Sequence, residues 1–116
     1  MRHLVFVYGT LRKGESNHHV LSESEYLGFF ETEPNYQLFN YGSYPGVTQG
    51  NCKVLGEVYS VDDDVLQRLD ILENVPIDYV RDPIETPYGI AWIYLYQGGS
   101  KLDEAITSGN WLYRNK

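Results

Sequence analysis

A continuous apolar run, Leu4-Val5-Phe6-Val7, breaks abruptly at Tyr8-Gly9-Thr10-Leu11, and that break constrains the chain more than any other stretch. An unalternating run predicts a strand over Leu4–Tyr8 that is buried on both faces, and so central in its sheet. Gly9 permits a positive φ or a close approach of the backbone to a ligand. The peptide N–H groups around Thr10 leave the sheet at this point and can form a small concavity of anion-binding donors. Taken alone, Val7–Gly14 is better explained as an ordinary strand-to-loop turn with Arg12 and Lys13 in solvent.

Downstream, the polar stretch from Glu15 to Leu21 predicts a short helix with Ser16 as N-cap. His18 and His19 are adjacent, share no helix face and have no third ligand at zinc spacing, so they read as solvated residues. Tyr26–Phe30 and Tyr36–Phe39 read as short strands, with Pro34 marking a break between them. Residues Asn40 to Gly50, containing Tyr44-Pro45-Gly46-Val47, have loop composition and suit the rim of a pocket. Lys53–Val61 alternates, with Leu55, Glu57 and Tyr59 on one face, and a mid-strand carboxylate such as Glu57 usually points to solvent.

Asp62-Asp63-Asp64 supplies a cap and first-turn negative charge for the clearest helix, with Val65, Leu66, Leu69 and Leu72 on its buried face. That helix ends near Glu73-Asn74, since Asn tolerates the left-handed conformation and Pro76 blocks resumption. Glu73 then sits at a helix C-terminus, where the dipole disfavours a negative charge. Asp78–Thr86 and Ile90–Gln97 read as a hairpin through Pro87-Tyr88-Gly89, with Trp92, Tyr94 and Tyr96 on one face. Ser100-Lys101-Leu102-Asp103 resembles a capping box and predicts a last short helix ending near Gly109, after which Trp111-Leu112 folds back onto the body.

A chain of 116 residues fits one domain, spanning 1–116. The expected class is α+β: a small mixed β-barrel or curled sheet with two or three short flanking helices. Eleven tyrosines against four phenylalanines suit a half-wet cavity, because each ring carries a polar tip. A net charge of −7 argues against nucleic acid, since Arg12-Lys13 is too small a basic cluster to offset it. The single cysteine, Cys52, fits a reducing compartment. The N-terminal apolar run is too short for a signal peptide, and no segment approaches the ~20 apolar residues of a membrane span. A cytoplasmic protein without a membrane partner is expected.

Several stretches, in order and at retained spacing over nearly the whole chain, together resemble the γ-glutamylcyclotransferase-like family, in particular its small bacterial members and the γ-glutamylamine cyclotransferases. They are Val7–Gly14, Tyr36-Gln37-Leu38-Phe39, Tyr44-Pro45-Gly46 and Gly56-Glu57-Val58-Tyr59. Leu69-Asp70-Ile71-Leu72-Glu73, Tyr79-Val80-Arg81, Trp92–Tyr96 and Ser108-Gly109-Asn110-Trp111-Leu112 complete the set. The resemblance implies a small β-barrel with a cavity at one end. It implies a loop, Tyr8-Gly9-Thr10-Leu11, that holds a γ-glutamyl headgroup, and a catalytic glutamate at Glu73. Asn74 stands where the family often has Gly, and Asn can adopt similar backbone angles.

The implied reaction is intramolecular aminolysis, in which a γ-glutamyl α-amine closes 5-oxoproline and releases an amine or amino acid. An amine with a reference pKa of roughly 7.7–8.0 is mostly protonated at neutral pH, and a carboxylate with a reference pKa of about 4.3 is a weak base for it. Burial raises the latter, and the helix dipole acts in the same sense. Backbone donors of Gly9–Leu11 can hold an α-carboxylate or oxyanion, Tyr79 and Tyr44 can offer hydroxyls, and no metal or organic cofactor is required. A binding module for a small anion or γ-glutamyl metabolite on the same fold is the alternative, and a third reading makes Glu57 the base. Neither the leaving amine nor the oligomeric state is legible in these residues.

Overall fold

The structure, a computed structural model, describes residues 2–41, 45–97 and 104–113. Eight strands form in chain order: β1 (His3–Val7), β2 (Glu25–Glu31), β3 (Tyr36–Asn40), β4 (Pro45–Gln49), β5 (Leu55–Val61), β6 (Tyr79–Thr86), β7 (Gly89–Tyr96) and β8 (Glu104–Ala105). One α-helix, α1 (Asp63–Leu72), follows β5, and short 3-10 turns occupy His18–Leu21 and Trp111–Tyr113.

The apolar run that opens the chain is central, as its composition predicts. In the five-stranded sheet, ordered β2-β5-β1-β7-β6, β1 lies between antiparallel β5 and parallel β7. A second sheet is ordered β4-β3-β8. The two are not closed into a barrel among the described residues, which corrects the expected architecture. The large sheet does curl: the Tyr88 hydroxyl at the β6–β7 turn donates to the Phe29 carbonyl on β2, at the opposite edge, over 3.2 Å. That hydroxyl fills the space a side chain on Gly28 would need, 2.0 Å from an ideal Cβ.

The two faces of the large sheet have separate cores. Val5, Val7, Tyr59, Val61 and Tyr94 pack against Val65, Leu66 and Leu69 of α1. Phe6, Val58, Ala91 and Ile93 pack on the other side against Leu38 and Val47 of the small sheet and Trp111. The alternation seen in β5 and β7 therefore sorts residues between two cores rather than between core and solvent.

Four local expectations change. The polar stretch before Leu21 is a 3-10 turn whose N-cap position is Asn17, not Ser16, and makes no side-chain capping bond. Half of the expected rim loop is strand β4, with Tyr44 outside the described residues. Ser100–Asp103 also lies outside them, and Glu104–Ala105 pairs with β3 instead of entering a helix. Leu72, expected on the buried face of α1, is 42% exposed. No helix among the described residues is long and apolar enough to cross a membrane.

Candidate active site

The segment after β1 is held by its carbonyls. Gly9 O accepts from Arg12 N–H at 2.9 Å, Thr10 O accepts from Asn17 N–H at 2.8 Å, and the His18 ring nitrogen meets Leu11 O at 3.0 Å. Asn17 Nδ2 also donates to Thr10 Oγ1 over 2.9 Å. Among the described residues, the N–H groups of Gly9, Thr10 and Leu11 donate to no protein acceptor. Three consecutive unpaired donors on a pinned backbone are the kind of group an anion-binding concavity requires.

Gly9 serves this loop by close packing rather than by a positive φ, since it is absent from the glycines in the left-handed region. A Cβ on Gly9 would lie 2.0 Å from Pro45 Cγ, so the loop can lie against β4 only without a side chain. Tyr8, 5% exposed, anchors the entry to the loop by donating its hydroxyl to Tyr94 O at 2.6 Å.

Opposite stands the end of α1. The Asp62 side chain caps the N-terminus by accepting from Val65 N–H at 2.9 Å. At the other end, Glu73 is the C-cap and Asn74 adopts φ 54, the left-handed conformation that stops the helix. Asn74 thus takes the backbone role expected of Gly. Its carbonyl accepts from the N–H groups of Ile77 and Asp78, and its side chain donates to Asp78 Oδ2 at 3.1 Å.

Loop and helix end line one cavity of about 430 Å³, completed by Asn17, Pro45, Leu72, Asp78, Tyr79, Tyr94 and Tyr96. The expected site residues Tyr8, Gly9, Thr10, Leu11, Glu73 and Tyr79 all border it. Burial pushes the Glu73 carboxyl up to about 7. Burial, reinforced by Tyr79 and Glu73, raises the Tyr8 phenol, so it stays protonated. The Tyr79 hydroxyl donates to Pro45 O, and the ring forms wall. Tyr94 donates to Asp70 Oδ1 at 2.8 Å, and that same oxygen receives Arg81 Nε at 3.0 Å, with the guanidinium 4.6 Å above the Trp92 ring.

Glu57 behaves differently from expectation. It is 9% exposed rather than solvent-facing, and Arg12, at 5%, is not in solvent either. Glu57 accepts from Arg12 Nε at 3.0 Å, Lys13 N–H at 3.0 Å and the Tyr59 hydroxyl at 2.9 Å. It lies outside the main cavity, on a smaller one of about 280 Å³ shared with Lys13, His18 and Tyr59. Those three bonds occupy both carboxylate oxygens, and Glu57 does not border the cavity of the donor loop, which removes it from the place of the base. His18, read as solvated, instead packs beside the Tyr59 ring at 5.8 Å. No group of three His, Cys, Asp or Glu residues among those described is arranged to hold a metal.

Asn17, Asp78 and Tyr96 were not singled out by sequence reasoning. Asn17 lies in a polar run with no local mark, and its meaning arises only when the chain turns back to Thr10. Asp78 and Tyr96 flank Tyr79 and Tyr94, and strand pairing of Tyr79 with Tyr96 brings them to the cavity.

A sequence profile of the family described as "Gamma-glutamyl cyclotransferase, AIG2-like" matches residues 5–113. The chain belongs to this family. A Vibrio cholerae protein named as a candidate gamma-glutamylcyclotransferase is 58% identical over 114 residues, covering 98% of this chain and 99% of its own. The Escherichia coli K12 protein YtfP, named as a gamma-glutamylcyclotransferase family protein, is 45% identical over 112 residues, covering 97% and 98%. Its solution structure superposes with a TM-score of 0.76 over 100% of both chains. An uncharacterized Pyrococcus horikoshii protein superposes with a TM-score of 0.82 at 33% identity, over 94% of this chain and 89% of its own.

Proposed function

We propose that the protein is a γ-glutamylcyclotransferase that converts a γ-glutamyl amine or amino-acid conjugate to 5-oxoproline, with Glu73 as general base. The observation that carries this reading is a half-buried glutamate, raised to about 7, on the same cavity as three unpaired backbone donors. The donors of Gly9, Thr10 and Leu11 take the α-carboxylate or the developing oxyanion. The raised carboxylate sits close to the reference pKa of an α-amine, roughly 7.7–8.0, so proton transfer between them is nearly balanced.

The steps follow from that pairing. Glu73 accepts a proton from the α-ammonium. The freed nitrogen attacks the side-chain Cδ, forming the ring N–C bond and a tetrahedral oxyanion. Glu73 then returns the proton to the departing nitrogen as its bond to Cδ breaks. It takes the second proton of the ring nitrogen to leave the single N–H of 5-oxoproline, and passes that proton to the released amine or to solvent. Because both reacting groups belong to one molecule, the cavity's main contribution is to hold the bent conformer. The residues use no cofactor in this scheme, and the partner is a small molecule. A cytoplasmic location fits the cysteine usage and remains part of this reading.

The test is a panel of γ-glutamyl amines and γ-glutamyl amino acids assayed for 5-oxoproline. The wild type should release it, and Glu73→Gln should reduce kcat by about 10²–10⁴-fold. Equal inertness of wild type and variant across the panel would remove the reading.

A further inference from the structure

The candidate reaction uses the donors of Gly9–Leu11, and the next two residues explain how those donors stay in place. The entry to the loop is fixed by the Tyr8 hydroxyl on Tyr94 O and by the fit of Gly9 against Pro45. The exit is fixed by a separate construction. Arg12 Nε meets Glu57 Oε2 on β5 at 3.0 Å, and Lys13 N–H meets the other carboxylate oxygen at 3.0 Å. Arg12 Nη1 reaches Asn110 Oδ1 in the C-terminal segment at 2.9 Å, and Trp111 Nε1 donates to Glu15 Oε1 at 3.1 Å.

We infer that the buried Arg12–Glu57 pair, tied to Asn110, is the positioning element that sets the Gly9–Leu11 donors for the γ-glutamyl headgroup. This rests on the proposed reading of that loop as the ligand-holding element. Three facts support it. Stability alone is a weak reason for such a pair, because apolar replacements of a buried ion pair are often neutral or stabilising. The guanidinium's charge is cancelled by Glu57, so the pair acts on the loop through position rather than through its field. Finally, Arg presents a planar fork that reaches two acceptors at once, here one on β5 and one near the C-terminus, which a lysine cannot reproduce. Residue 12 is thereby held from two sides directly after the last free donor.

The test removes both charges together. Arg12→Met/Glu57→Gln leaves no lone buried charge and keeps an oxygen for Lys13 N–H and the Tyr59 hydroxyl. Its Tm should stay near wild type while KM for a γ-glutamyl substrate rises roughly 10-fold, with kcat falling less, the loss expected when ground and transition states are bound equally less well. In the ligand-free protein, the NMR amide resonances of Gly9, Thr10 and Leu11 should move. Asn110→Ala, which keeps the pair and cuts only the tether, should move the same resonances less and raise KM by about 3-fold. Arg12→Lys should match Asn110→Ala, and combining those two should add nothing further. Unchanged amide resonances in the double variant, whatever its Tm, would overturn the inference. An inert wild type would defeat the proposed reaction instead, and the amide resonances would still decide whether the pair positions the loop.

Discussion

At the scale of single residues, Glu73, the proposed general base, carries a measurable cost. Its carboxyl lies near 4.5 when exposed and near 7 in the fold, with burial as the cause. A raised carboxyl pKa means the folded state holds the proton more tightly than the unfolded chain. Its contribution is therefore unpenalised below the unfolded value and declines as pH rises from about 4.5 to about 7, with no further loss above. At 1.36 kcal/mol per unit the loss is at most about 3 kcal/mol, and residual solvent contact lowers it. Glu73→Gln, neutral at every pH, should match wild type in urea unfolding at pH 4 and exceed it at pH 8. A constant difference across that range would show that Glu73 is not buried in its charged form. Gly9 gives a second residue-level outcome: Gly9→Ala should weaken substrate binding sharply, read as a rise in KM, because the added Cβ must displace Pro45 or the loop. The sequence marked both residues. The reasons expected for Gly9, a positive φ or an approach to a ligand, are not the one found, since Pro45 is its neighbour only in the folded chain.

At the scale of elements, the parts set by local chemistry were legible and those set by distant partners were not. Helix α1 was readable because its cap, apolar spacing and stop signal all lie within one stretch, and the β6–β7 hairpin because its turn residues join two alternating strands. Replacing the Asp62 cap by Ala should cost about 1 kcal/mol, seen as a lower urea midpoint at unchanged slope. Strand β4 was read as loop because Pro45 and Gly46 are poor strand formers. It is tolerated as an edge strand, where Pro45 begins the ladder and the Tyr41 ring fills the space beside Gly46 at 2.3 Å from an ideal Cβ. β8 escaped notice because two residues carry no period, and only pairing with β3 makes them a strand. In β5, alternation placed Glu57 with Leu55 and Tyr59 correctly. Its burial was not legible, because Arg12 lies 45 positions away in the chain.

At the scale of the whole molecule, the ordered motifs identified the family, whereas the count of strands did not disclose that they divide into two sheets. Closure as a barrel was expected, but the structure joins its layers through side chains instead. The C-terminal segment is the clearest such joint: Trp111, 2% exposed, sits in the core between the sheets and reaches Glu15 beside the donor loop. Trp111→Ala should cost about 3–5 kcal/mol and lower Tm by roughly 10 °C or more, measured by thermal unfolding. The cavity likewise belongs to the whole fold, since its walls come from β1 and the loop after it, β4, β6, β7 and the end of α1. The proposed base, Glu73, would accept the substrate's proton there. The most direct measurement is the single-turnover rate of 5-oxoproline formation against pH. The rate should rise with pH on a limb whose midpoint is near 7, and that limb should vanish with the activity in Glu73→Gln. A rate that is flat through this range, or a limb that survives in Glu73→Gln, would contradict the claim.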